Sequence, residues 1–136
     1  MELDFKYVCH FCILLILILF TGCSSVAKVK LYGNSSVGDS YSSAVSPEGI
    51  VREVSNNYQI HGLWLFTTGN PGDFVFKFKA TAEGEADIVF YNRFRGGEPS
   101  RIASYKAVVD KWKRLTLTLI DMSDEQRKKQ EKKNNK

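Results

Sequence analysis

FVFKFKATAEGEADIVFYNRF, residues 74–94, decides the fold. Phe74, Phe76 and Phe78 fall on one face, and Val75, Lys77 and Lys79 on the other. A period of two belongs to a strand with one buried and one wetted face; a helix would space its apolar residues by three and four. Glu83-Gly84 supplies a turn, after which Ala86, Ile88 and Phe90 take up the alternation again. Downstream, Leu115, Leu117 and Leu119 alternate with Thr116 and Thr118 in the same way.

Working outward, turn chemistry recurs at Ser46-Pro47-Glu48-Gly49, at Gly69-Asn70-Pro71-Gly72 and at Gly96-Gly97-Glu98-Pro99. Between these signals the sequence predicts strands over 29–32, 40–45, 50–54, 58–66, 74–80, 86–94, 101–109 and 112–120. No stretch from Lys28 to Asp121 carries helical periodicity. The class is all-β, with an antiparallel sandwich or barrel the fitting architectures.

The amino terminus is of another kind. Phe11 to Phe20 reads FCILLILILF, too short for the roughly 20 residues of a spanning helix. It suits the apolar region of a signal peptide, with Lys6 before it and Thr21-Gly22 after it. The alternative is a short hydrophobic anchor that stays attached. Leu19-Phe20-Thr21-Gly22-Cys23 resembles the lipobox of bacterial lipoproteins, which implies removal of residues 1–22 and acylation of Cys23. Several acyl chains make such attachment effectively permanent. Ser24 after the cysteine resembles outer-membrane sorting if the cell is Gram-negative, so the expected place is the bacterial cell envelope, held by lipid. Cys9 and Cys12 leave with the signal, and the mature chain then has no free thiol for a disulfide, a metal or catalysis. Residues 23–27 are expected as a lipidated tether of about 18 Å at most. A β domain over 28–121 follows.

Residues 122–136, MSDEQRKKQEKKNNK, have no apolar face, and the expectation is a flexible charged tail. The tail carries a net charge of +3, whereas residues 23–121 carry 12 basic and 10 acidic side chains. Most of the chain's +4 is therefore a property of the tail and not of a basic binding face. Lys77, Lys79, Arg93, Arg95, Arg101, Lys111, Lys113 and Arg114 interleave with aromatics, as any basic half-exposed strand does, and no nucleic-acid partner is expected. Beyond residue 22, His61 is the only histidine, without cysteines or clustered carboxylates to complete a metal site. With no G-x-S-x-G, phosphate loop or H-E-x-x-H, neither an enzyme nor a cofactor is expected.

Residues 38–110 resemble the chagasin family, the immunoglobulin-like inhibitors of papain-type cysteine proteases (family I42). The strand-turn-strand over 74–94 is the best part of the likeness, with Arg93 and Phe94 where family members carry Arg and Pro-Trp or Pro-Phe. Gly38-Asp39-Ser40-Tyr41 looks like the start of an early strand, and Ser46-Pro47-Glu48-Gly49 falls where the family has Asn-Pro-Thr-Thr-Gly. Arg52 stands where the family often has Trp, and strand 112–120 runs past the usual end of the domain.

The resemblance implies an immunoglobulin-like antiparallel sandwich of seven to eight strands. It also implies a mechanism without chemistry, in which three loops at one end wedge into the protease cleft. The central loop would be Ser46, Pro47, Glu48 and Gly49. Gly69, Asn70, Pro71 and Gly72 would flank it on one side, and residues 93–97, with Arg93 and Phe94, on the other. The implied partners are a papain-family cysteine protease and, through Cys23, a membrane. The competing reading is a surface-exposed adhesion or ligand-binding module of the same fold, using Trp64 and Trp112 if they are exposed instead of packed in the core.

Overall fold

Seven strands form two antiparallel sheets in the computed structural model, which describes residues 25–61 and 69–135. The expected signal peptide, Cys23 and Trp64 lie outside the described residues. Strands β1 (Val26–Gly33), β4 (Gly72–Ala80) and β3 (Val51–Ile60) pair in the order β1-β4-β3. The second sheet has β2 (Tyr41–Ser46), β5 (Gly84–Asn92), β6 (Ser100–Val109) and β7 (Leu115–Met122) in the order β2-β5-β6-β7. The chain crosses between sheets three times, from β1 to β2, β2 to β3 and β4 to β5, which gives the immunoglobulin-like sandwich.

The phenylalanine row of β4 faces inward as its alternation predicts, with Phe76 and Phe78 fully buried. Both meet Phe90 of β5 edge to face, at ring distances of 4.8 and 5.9 Å. Leu31 from β1, Ile88 from β5 and Val109 from β6 fill in around them. Each such side chain stabilises the fold by roughly 1.5–3 kcal/mol on burial.

Four expectations change. The strand predicted at 50–54 and the start of the one at 58–66 are one strand, β3, while residues 62–66 lie outside the described residues; a bulge leaves Val54 out of the pairing and lets the ladder continue through the polar Asn56-Asn57. Leu119, in regular register opposite Tyr105 on the edge strand β7, is 47% exposed, and past it a bulge leaves Ile120 out of the pairing. Pairing begins at Val26, so Val26 and Ala27 of the expected tether belong to the sheet: Val26 sits opposite Lys79, and the Ser25 carbonyl accepts from Ala80 N at 3.3 Å.

Residues 122–136, expected as a flexible tail, finish β7 and then form helix α1 (Asp124–Asn134). Ser123 caps it by accepting from Gln126 N, while its own N–H donates to Ile102 O at 2.8 Å. Gln126, Lys129, Gln130 and Lys133 share one helix face, and that face docks through polar contacts. Gln126, 1% exposed, donates to Tyr32 O at 2.9 Å, and its Oε1 lies 3.0 Å from the Tyr41 hydroxyl. Gln130 donates to Lys30 O, while Lys129 and Lys133 reach Asp39 and Asp73. The helix thereby occupies carbonyls that the β1 edge would otherwise leave open.

Candidate functional site

The strands define two ends of the sandwich. At the end where β1 finishes in Gly33, β1 passes to β2, β3 to β4 and β5 to β6. At the opposite end, where β1 begins in Val26, lie the β2–β3, β4–β5 and β6–β7 turns.

At the Gly33 end, residues 34–40 cross from one sheet to the other. Asn34 Oδ1 accepts from Ser36 N at 3.1 Å and so starts a single 3-10 turn over Ser35–Val37. Gly38 ends the turn in the left-handed region, at φ 111°, and donates to Ser35 O. A Cβ at Gly38 would come within 2.5 Å of Arg95 Cγ, so the position requires glycine on both counts. Asp39, buried beneath this turn, accepts from Asn34 N and from Asn92 Nδ2, each at 2.9 Å. Asn92 Oδ1 in turn accepts from Ser40 N at 3.1 Å. This bracket fixes the loop to the end of β5.

The same loop is bonded to both neighbours. Asn34 Nδ2 donates to Gly69 O at 2.7 Å on one side. On the other, Arg95 N donates to Gly38 O at 2.8 Å and Arg95 Nε to Val37 O at 3.3 Å. Arg95 is itself left-handed, at φ 50°. The Tyr58 hydroxyl donates to Asn70 O at 3.1 Å and steadies the flank that carries Gly69. Residues 34–38, 69–71 and 93–97 thus form one braced edge, with Val37 46% and Phe94 49% exposed. The Arg95 guanidinium lies 5.2 Å from the Phe94 ring centre, and Arg93 is exposed beside it.

Of the residues predicted for the site, Gly69, Asn70, Pro71, Arg93 and Phe94 meet at this edge. Gly72 belongs to the start of β4, where it is buried against the Gln59 backbone. Ser46, Pro47, Glu48 and Gly49 are at the other end: Ser46 closes β2 opposite Asp87, and the next three are an exposed turn into β3. They share no edge with the other two loops. The segment that sits between those loops is Asn34-Ser35-Ser36-Val37-Gly38. It matches the family's Asn-Pro-Thr-Thr-Gly in length, in its first residue and in its last. Taking Gly38-Asp39 as the start of an early strand hides that match, because the strand it starts is the second and not the first.

His61, at the same end, holds Nε2 2.8 Å from Asp73 Oδ2, and Lys133 Nζ lies 3.0 and 2.8 Å from the two Asp73 oxygens. Burial alone would raise the Asp73 pKa, but the hydrogen bonds and charges of Lys133 and His61 outweigh it and hold the carboxyl below its usual value. The group ties α1 to the sheet. Among the described residues, no three His, Cys, Asp or Glu side chains are placed to hold a metal. Trp112, predicted to begin a strand, is 65% exposed in the β6–β7 turn.

No curated protein and no solved structure matches the chain. The family model of the chagasin family peptidase inhibitors, I42, matches residues 24–109. That span takes in β1 through β6 and all three loops of the Gly33 end, and leaves out β7 and α1. The chain belongs to the chagasin family of peptidase inhibitors.

Proposed function

We propose that this chain is a lipid-anchored envelope protein that inhibits papain-type cysteine proteases by filling the active-site cleft. Residues 34–38 are the centre of the wedge, and residues 69–71 and 93–97 grip the walls. The observation that carries this reading is the hydrogen-bonding of the central loop to both flanks, through Asn34 to Gly69 and through Gly38 to Arg95. A loop braced in this way loses little freedom on docking, so more of its contact energy appears as affinity. Val37 and Phe94 offer apolar tips for subsites, and Arg93 is of a type that anchors interfaces. No bond is made or broken, and occlusion alone excludes substrate. Acylation of Cys23 holds the domain at the membrane.

The experiment titrates the detergent-solubilised chain against several papain-type proteases. Competitive inhibition is expected, and none at micromolar concentration contradicts the reading for those enzymes. Phe94→Ala should weaken inhibition while leaving the melting temperature within a few degrees; a large fall would make Phe94 a core residue. Labelling of cells with radioactive palmitate should mark the chain and fail for Cys23→Ser.

A further inference from the structure

The β6–β7 turn, Asp110-Lys111-Trp112-Lys113-Arg114, holds an indole out of the fold. Asp110 closes it from within: Oδ1 accepts from Trp112 N and from Arg114 N, each at 2.9 Å, and Oδ2 pairs with Arg114 Nε at 2.7 Å. Asp110 N donates to Arg114 O at 3.1 Å and Lys113 N to Asp110 O at 2.9 Å, with Lys113 left-handed at φ 57°. The turn is therefore rigid without using the tryptophan. Trp112 is 65% exposed, Lys111 Nζ lies 5.1 Å from its ring centre, and Lys111, Lys113 and Arg114 are all exposed around it. An amphipathic ring ringed by cations is the composition that settles at a bilayer interface, where the ring enters the boundary zone and the cations meet phosphates.

The chain's amino-terminal side leaves the fold at this same turn. Ser25 N and Ser25 Oγ donate to Lys113 O at 3.3 and 3.2 Å, and Leu115 N donates to Ser25 Oγ at 2.5 Å. Only Ser24 separates Ser25 from Cys23, a reach of at most about 7 Å. Should the apolar run ending at Phe20 stay attached instead, it too joins the domain here. Glu48 and Glu83 sit on the β2–β3 and β4–β5 turns, whereas the corner shared by β1 and β7 carries the cations of residues 111–114.

We infer that the turn at residues 110–114 docks on the membrane surface, with Trp112 seated at the headgroup–acyl boundary and Lys111, Lys113 and Arg114 against anionic headgroup phosphates. The inference rests on the anchoring proposed above and adds the orientation. The Val26 end faces the bilayer, and the wedge loops stand one strand length, about 25 Å, farther out. A protease in solution then meets the loops without contest from the lipid surface.

The test reconstitutes the full chain into vesicles of brominated phosphatidylcholine with or without phosphatidylglycerol. Trp112 emission is read as the difference between the wild-type chain and Trp112→Phe. In phosphatidylglycerol vesicles this contribution should be blue-shifted and quenched about twofold or more, as for an interfacial indole. The double variant Lys111→Glu, Lys113→Glu alters neither side chain that closes the turn and should lose the quenching while still floating with the vesicles. Unquenched, red-shifted Trp112 in chains that float overturns the inference and leaves the turn to a protein or glycan. Equal quenching without phosphatidylglycerol overturns the role of the cations. Chains that fail to float overturn the anchoring and the docking together, so flotation and quenching separate the two failures.

Discussion

Asp39→Ala probes the brace behind the central loop. The Asp39 carboxylate is 6% exposed and accepts from two donors at 2.9 Å, Asn34 N on one oxygen and Asn92 Nδ2 on the other. Lys129 at 3.5 Å adds little, since it already has Glu125 at 3.0 Å and keeps contact with solvent. Alanine leaves both donors without a partner, at about 1–3 kcal/mol for each buried group. Asn34 is only half-buried and sits at the low end of that range, whereas Asn92, 7% exposed, sits higher. The expected loss is about 2–4 kcal/mol, read from urea unfolding as a lower midpoint at unchanged m. Asp39→Asn keeps the shape but turns an N–H toward one of the donors, so it should lose part of the same stability. At temperatures where both variants remain folded, inhibition should still weaken about tenfold, because the loop must be reordered on binding. A loss below about 0.5 kcal/mol, with inhibition unchanged, would refute the claim that Asp39 holds the loop.

Two further outcomes concern α1. Gln126→Ala removes two hydrogen bonds, but the Tyr41 hydroxyl, 3.0 Å from Tyr32 O, redirects its proton there; the net cost should be about 1–2 kcal/mol, with faster tryptic cleavage over residues 127–133. Acid should release the helix as well. The folded Asp73 pKa lies below the unfolded one, so the stability of its contact with Lys133 is present above about pH 4 and lost as pH falls through the folded value. Urea titrations of the wild-type chain and Lys133→Ala should accordingly differ at neutral pH and converge in strong acid.

Much of the sandwich was legible because its strands declare themselves locally. The row Phe74, Phe76, Phe78 and the turn residues mark β4 and β5 without reference to partners. Partnership is what the local pattern lacks. Whether a strand counts as first or second depends on which sheet it joins, and β1, with an exposed and basic outer face, reads as a short strand after a tether. That shift by one strand puts the expected central loop at residues 46–49, whereas the loop that lies between the two flanks is 34–38, with Asn34 and Gly38 at the motif's spacing. Helix α1 is hard to read for a different reason: Ser123-Asp124-Glu125 offers a cap, but Gln126, Lys129, Gln130 and Lys133 keep helical spacing in amides and ammonium groups that carry no hydrophobic signal. Extending the leucine alternation backward draws Trp112 into a strand, past the turn that Asp110 closes.

The most direct measurement compares two single variants in one inhibition assay against a papain-type protease that the wild-type chain inhibits. Val37→Asp places a charge on the 46% exposed tip of the loop at residues 34–38, and Glu48→Lys reverses the charge of the turn at the opposite end. Val37→Asp should weaken inhibition by tenfold or more, about 1.4 kcal/mol or above, while Glu48→Lys leaves it unchanged. Loss of inhibition by Glu48→Lys, with Val37→Asp still active, would contradict the assignment of the wedge to the Gly33 end.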